Sequence, residues 1–420
     1  MKNNQEPEMK TTGAKAIVEI LHREKITTIF GIPGGVVIPL FDALYGDSKL
    51  NMIITKHEQG AIHAADGYAR STGEPGVCIV TSGPGATNIV TGLATAYMDS
   101  IPIVALTGQV PTASIGNDAF QEADTTGITR PVTKHNFIVK DPKELPVIMK
   151  KAFYVSKTGR PGPVVVDLPK DILTAEIEFD YPEMISIPGY SIPDKGNPRQ
   201  IKRAMEAIAH AKKPLLYVGG GVITSGASKD LHAFVKKTGI PVTMTLMGMG
   251  AYPGTEPEFL GMLGMHGTKT ANWAVDRCDM LIAIGARFDD RVTGKLSMFA
   301  PRARFIHVDI DPASIGKNVV IDYPIVGDAK HTLKEMLTYA KKLDIGEWLS
   351  EIDRWKKEHP LTYADDDTLR PQYIIEQLFE VTEGNAIITT EVGQNQMWAA
   401  QFFKYDRPRQ LITSGGLGTM

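Results

Sequence analysis

TKHEQGAIHAADGYARSTGEPGVCIVTSGPGATN, residues 55 to 88, holds two strand-to-helix turns in succession. A short apolar strand, Met52 to Thr55, gives way at Glu58 to a helix rich in Ala and Gly. A second apolar strand, Val77 to Val80, runs into Gly83-Pro84-Gly85 and another helix. In an open α/β sheet, ligands bind outside the carboxyl ends of the strands, so both turns belong on the ligand-binding edge. Glu58 has two readings from local sequence. A carboxylate at a helix start is a cap or a partner of the helix dipole, or it is a buried acid aimed at a cofactor. His57 and His63 are spaced H-E-x-x-x-x-H, not the H-E-x-x-H that sets two zinc ligands on one helix face. Each reads as a packing or polar-network residue.

Outward from this stretch the rhythm repeats. Ala14, Ile17, Val18 and Leu21 recur at helical spacing ahead of a strand, Ile26 to Phe30, which ends in the loop Gly31 to Gly35. A helix through Leu40 and Leu44 precedes the Met52 strand, and strands at Ile103 to Thr107 and Val164 to Asp167 follow, with a polar, Gly-rich segment from Gly108 to Gly127 between them. Such alternation predicts a parallel sheet covered by helices. The expected fold class is therefore α/β, with successive doubly wound parallel-sheet domains. The first spans 10–175, and a proline-containing linker covers 176–198. A second domain, 199–342, has strands at Leu215 to Val218, Met280 to Ile284 and Phe305 to Val308, ending respectively in Gly219-Gly220-Gly221, in GARFDDR and in DIDP. The glycine loop lacks a full G-x-G-x-x-G, so it reads equally as a dinucleotide loop or a tight turn. Charged residues 343–368 read as a second linker. Pro371 then opens a helix with Ile374, Ile375, Leu378 and Phe379 expected inside, and a strand at Ala386 to Thr390 starts a third domain, 369–420, which reads as incomplete.

The 420 residues carry a net charge of −3, which suggests neither a nucleic-acid nor a membrane partner. No apolar run is long enough to span a bilayer, and the polar N-terminus has no signal-peptide core. Cys78 and Cys278, far apart in apolar contexts, read as buried free thiols in a reducing, cytoplasmic setting.

The blocks FGIPGG, TKHEQGAIHAADGYAR, TSGPGATN, GNDAFQEAD, RPGPVVVDLPKD, TLMGMGAYP, LGMHG, GARFDDRVTGK, HVDIDPASIGKN, GQNQMWAAQF and TSGGLGTM follow one another from about residue 30 to the last residue. In that order they resemble the acetolactate synthase (acetohydroxyacid synthase) large subunits, a branch of the thiamine-diphosphate-dependent enzymes. The resemblance implies that the chain decarboxylates pyruvate and joins the two-carbon unit to pyruvate or 2-oxobutyrate, the first common step of branched-chain amino-acid biosynthesis. It implies thiamine diphosphate, Mg²⁺ and FAD as cofactors. It also implies a homodimer or tetramer working with a small regulatory subunit.

Site residues follow from the same resemblance. Glu58 would hydrogen-bond the aminopyrimidine ring and favour its imino form. Gln121 would lie near the cofactor, Gln394 and Asn395 at its diphosphate, and Gly418, Thr419 and Met420 along its two rings. Flavin contacts would include Ser100 and Arg160, then Gly220, Thr245 and Leu246. They continue through the turn Leu263, Gly264, Met265 and His266, through the run Gly285, Ala286, Arg287, Phe288 and Asp289, and end at Asp309, Ile310 and Asp328. Lys170, Asp290 and Arg291 map to the substrate channel, together with Met265. Arg291 is the candidate to hold the acceptor acid's carboxylate bidentately, or else it forms a surface ion pair with Asp289 or Asp290. The family's Gly-Asp-Gly metal motif and the Asn that follows it do not occur within residues 1–420, so no metal ligand is assigned. The chain as given is expected neither to bind the cofactor through Mg²⁺ nor to form acetolactate. Two other readings stay open: another thiamine-diphosphate and flavin enzyme such as a pyruvate oxidase, or a non-catalytic flavin-binding fragment.

Overall fold

Strands Gly76–Val80, Ile103–Gln109 and Pro163–Pro169 are buried at every position, as the central strands of a parallel sheet with both faces covered must be. The computed structural model describes residues 9–419, and the chain divides into two compact units, 1–191 and 192–420. In the first unit these strands form a six-stranded sheet whose order is Asn51–Ile54, Thr28–Gly31, Gly76–Val80, Ile103–Gln109, Pro163–Pro169 and His135–Ile138. All its pairings are parallel. The chain moves outward from Thr28–Gly31 to the edge strand and then crosses back to Gly76–Val80. This reversal opens a crevice at the carboxyl ends of those two strands. The approach there is close, since a Cβ on Gly31 would lie 2.2 Å from the Ile79 carbonyl oxygen.

Helix Glu58–Thr72 is tied to helix Val90–Asp99 by buried charge. Arg70 donates from Nε to Asp66 at 2.6 Å and from Nη2 to Asp99 at 2.9 Å, and all three side chains are at most 9% exposed. A charge this far from water is tolerable only with its partners in place.

The second unit repeats the plan. Its six strands run in the order Phe259–Met262, Val242–Met244, Pro214–Val218, Met280–Ile284, Arg304–Asp309 and Tyr323–Val326, again all parallel. The order reverses between Pro214–Val218 and Met280–Ile284. The loops leaving these strands meet so tightly that a Cβ on Gly219 would stand 2.1 Å from the Gly285 carbonyl oxygen, and Gly285 itself has φ +59°. Two apolar layers cover the sheet. One contains Leu216, Val218 and Phe234, and the other Leu215, Tyr217 and Phe288.

Three expectations need correction. Residues 176–198 do not all form a linker, because strand Glu176–Phe179 alternates exposed and buried side chains and pairs antiparallel with Met9–Thr12. Residues 343–368 contain helix Gly346–Glu358. Its charged outer face hides two buried indoles, Trp348 and Trp355, and the Trp348 Nε1–H donates to the Pro214 carbonyl at 3.1 Å. Lys356 pins the other end by donating to Pro257 and Phe259 carbonyls. Helix Pro371–Val381 forms as expected, yet no residue in it is fully buried. Ile375 and Phe379 pack against the core, whereas Ile374 and Leu378 are exposed. The third sheet amounts to Ile388–Thr389 beside Leu411–Ile412.

Cys78 and Cys278 are free and buried. Burial pushes both thiols above their ordinary range, with Glu58 the second cause at Cys78 and Asp279 at Cys278. Among the described residues no helix is long and apolar enough to cross a membrane.

Removing one member of a buried ionic group strands its partners. Arg70→Ala is therefore expected to destabilise the first unit by about 3–5 kcal/mol. Urea unfolding followed by circular dichroism would measure the loss.

Candidate functional site

At the crevice of the first unit, His57 adopts the extended backbone of an N-cap, and its Nδ1 accepts the Gln59 N–H at 3.0 Å. Capping is thus done by His57, and Glu58, the first helical residue, is left for another role. Its Oε2 accepts from the Asn88 side-chain amide at 3.0 Å. Its Oε1 faces the Gly83–Gly85 loop, where a Cβ on Gly85 would stand 3.6 Å away. At the start of that loop the Thr81 and Ser82 hydroxyls are buried and have no hydrogen-bond partner. Gly34 lets the first strand's loop approach, since a Cβ there would come within 2.5 Å of Thr81.

Gln121 is brought to the same loop from 38 residues beyond Gly83, and a Cβ on Gly83 would meet its carbonyl oxygen at 2.7 Å. Gln121 has φ +57°, in the left-handed region that few non-glycine residues occupy. Such strain gathers at functional positions. Elsewhere in this unit Ser100, also left-handed at φ +62°, accepts from Arg160 Nε at 2.8 Å. Lys170 is exposed at the start of helix Lys170–Thr174, just past the strand Pro163–Pro169.

The second unit gathers its named residues on the loops at the carboxyl edge of its sheet. Gly220 opens the short helix Gly220–Thr224. Thr245 caps the turn that starts at Leu246, its hydroxyl accepting the Gly248 N–H at 2.9 Å. In the turn Leu263 to His266, Gly264 has φ +108° and is clamped by the Asn272 amide, which both accepts its N–H and donates to its carbonyl. The Met265 N–H donates to the Arg291 carbonyl at 3.0 Å, so two residues assigned to the substrate channel share one backbone bond. The run Gly285 to Asp289 is held from below. His307 Nε2 lies 3.0 Å from the Ala286 carbonyl, and Asn318 donates to the Phe288 carbonyl. Arg287 stands 3.9 Å from Asp289, and Asp289 caps helix Asp290–Thr293. Arg291 lies 3.8 Å from Asp290 with both side chains well exposed, a contact that contributes little by itself. Asp309 ends its strand and accepts the Asp311 N–H across Ile310. Asp328 uses its carboxylate as the cap of helix Ala329–Tyr339.

Later in this unit, Gln394 and Asn395 open helix Gln394–Phe402, exposed, behind Gly393. Buried Gln396 donates to Thr413 and Ser414, and Thr419 donates its N–H to the Ser414 hydroxyl at 3.0 Å. Gly418 is left-handed at φ +71°. Met420 lies outside the described residues.

The thiamine pyrophosphate enzyme N-terminal TPP binding domain matches residues 11–128, the central domain 201–336, and the C-terminal TPP binding domain 391–420. A probable acetolactate synthase large subunit from Methanocaldococcus jannaschii is 54% identical over 421 residues, covering 97% of this chain and 71% of the relative. The acetolactate synthase large subunit of Buchnera aphidicola is 51% identical over 97% of this chain and 73% of its own. The isozyme 3 large subunit of Escherichia coli is 48% identical over the same shares. The chain belongs to the acetolactate synthase large-subunit family.

For a chain of this family, the assigned residues are not the whole site. Asn88, which binds Glu58, lies within a quoted block but reveals its partner only when 30 residues of chain fold back. Asn272 and His307, supporting the assigned loops from beneath, resemble ordinary helix and strand residues in the sequence.

His307 is buried, and burial lowers its pKa from 6.5 to about 4, while the bond to Ala286 pulls the other way. Between these values the unfolded chain binds a proton that the folded chain refuses. Stability therefore falls as pH drops through that window, by on the order of 2–3 kcal/mol near its lower end. Urea midpoints at pH 7 and 4.5 should differ by less in His307→Gln, which keeps a donor for Ala286 and does not titrate.

Proposed function

We propose that Glu58 is the catalytic carboxylate of this acetolactate synthase. The observation that carries the assignment is its placement at the sheet reversal, with one oxygen held by Asn88 and the other left open beside the Gly83–Gly85 loop. Thiamine diphosphate, when bound, supplies the electron sink that lets pyruvate lose carbon dioxide and its two-carbon unit join a second keto acid. The chain's own residues do the rest. Glu58 Oε1 would share a proton with a ring nitrogen of the bound cofactor, and Asn88 fixes the plane of the carboxylate. Gln121, whose backbone carbonyl stands against Gly83, would offer its side-chain amide to the same ligand. The unpartnered Thr81 and Ser82 hydroxyls suit a ligand with polar edges. Gln394, Asn395, Gly418, Thr419 and Met420 are assigned to the diphosphate end and the rings.

Mg²⁺ on that diphosphate needs oxygen ligands. No group of three or more His, Cys, Asp or Glu able to hold an ion occurs among the described residues, and no step is assigned to the ion. FAD is assigned to the second unit's loops, where Gly219, Gly221 and Gly285 let backbones approach and Asp309 ends a strand at the same carboxyl edge. The flavin set adds Ser100 and Arg160. Pyruvate and 2-oxobutyrate are the substrates, with Lys170, Asp290 and Arg291 lining their path and the Arg291 guanidinium taking the acceptor's carboxylate. The relatives' description as large subunits supports a small regulatory partner, acting on a homodimer or tetramer. Two buried, unpaired thiols suit a reducing, cytoplasmic setting.

Glu58→Gln is expected to lower carboligation by the Brønsted-type factor of a lost proton-transfer group, about 10²–10⁴, with flavin content unchanged. A colorimetric acetolactate assay, run on a chain extended to the full length of its relatives, would check it. The purified protein is expected to carry or take up FAD. After gel filtration it should show the absorption bands of bound flavin, and a colourless protein in excess FAD would remove the flavin assignment.

A further inference from the structure

The segment Gly108 to Gly127 raises a question of support. Three of the six residues from Gly116 to Gln121 are left-handed: Gly116 at φ +86°, Asp118 at +54° and Gln121 at +57°. Two of the three are not glycine, and a backbone so held persists only where its surroundings over-determine it. Two anchors do so, one on each residue that follows Gln121. Glu122 turns its carboxylate back into the loop, accepting the Gly116 N–H at 2.5 Å and the Ala119 N–H at 2.9 Å. Its own N–H donates to the Ala119 carbonyl at 3.0 Å. Ala123 offers its carbonyl to Gln109 Nε2 at 2.9 Å, and Gln109 in turn donates to buried Asp167, which also accepts from Thr107. A third tie, Thr112 to Asp171, fixes the near limb of the segment.

We propose that Glu122 is a positioning residue for Gln121. Its carboxylate closes the 116–122 loop, holds Gln121 in the left-handed conformation, and so sets it against Gly83 in the space that Glu58 faces. This rests on the assignment of Gln121 to the thiamine cofactor. The carboxylate does the work by charge-assisted acceptance from two backbone N–H groups on the opposite limb. The same N–H groups, Gly116 first and then Ala119, hold the Glu122 carboxyl below its usual range, so it stays ionised and acceptor-only under ordinary conditions. A side chain one carbon shorter would have to reach both N–H groups from further off, and an amide would offer one acceptor oxygen in place of two.

The test compares Glu122→Ala, Glu122→Gln, Gln121→Ala and the Glu122→Ala/Gln121→Ala double variant in a chain extended to the full length of its relatives and titrated with thiamine diphosphate and Mg²⁺. Amide hydrogen exchange is read over residues 116–122, and thiamine diphosphate half-saturation is measured beside it. The proposal expects Glu122→Ala to speed exchange at the Gly116 and Ala119 amides and to raise half-saturation, each by about tenfold, the scale of one lost hydrogen bond to a charged group. Glu122→Gln should recover part of both. In the Gln121→Ala background, Glu122→Ala should add no further change in half-saturation while still speeding exchange, which a general loss of stability would not reproduce. Unchanged exchange in Glu122→Ala, or effects that multiply in the double variant, would overturn the proposal. Gln121→Ala with unaltered half-saturation would instead overturn the cofactor assignment of Gln121 and the proposal with it, and the exchange data would separate that failure from the first.

Discussion

Helix Glu58–Thr72 and helix Val90–Asp99 are joined at both ends, and the first unit's chemistry depends on that double tie. At one end the Asn88 amide, just ahead of the second helix, holds Glu58 Oε2. At the other, Arg70 lies between Asp66 and Asp99 away from water. The polar bond aims the carboxylate and the buried ionic group keeps the helices from sliding. Neither would be stable alone. A single amide–carboxylate bond cannot by itself keep two helices in register, and a buried cation without its anions costs far more than it returns. Together they fix a carboxylate over the strand reversal without placing it deep inside the protein.

The parts of the fold that were legible in the sequence are those buried on both faces. Gly76–Val80, Ile103–Gln109 and Met280–Ile284 read as apolar runs because a parallel sheet covered by helices leaves them no polar face. Two of the edge strands lacked that signal. His135–Ile138 opens with an exposed histidine, and Tyr323–Val326 contains Pro324, which a strand tolerates at an edge. Helix Gly346–Glu358 was hidden by composition, since its charged majority reads as linker while its two buried tryptophans stand seven residues apart. The short strand Glu176–Phe179 was masked by the prolines that follow it.

At the site the division is similar. Glu58 and the glycine loops sit in compact blocks whose residue types are unusual together, so they stand out. Their supports are common residue types, Asn88, Asn272, His307 and Glu122, each acting through a few hydrogen bonds that the folded chain creates. No local pattern marks a polar side chain whose role is only to hold a neighbouring loop or carboxylate. Asp328 is the reverse case. Assigned a ligand role by resemblance, it spends its carboxylate as a helix cap, a use that its sequence position, one residue ahead of a helix, would also have suggested.

Helix Gly346–Glu358 also bears on where the central part of the chain can be cut. Trp348 closes the layer above Leu215 and Tyr217, Glu351 takes Lys213 and Arg277, and Lys356 holds the edge strand Phe259–Met262. An excised central-domain fragment ending near residue 342 would leave this indole-lined layer uncovered and sticky. One extended through His359 would carry its own lid, and the exposed stretch from Leu361 to Leu369 would then serve as the natural place for a protease or an engineered junction.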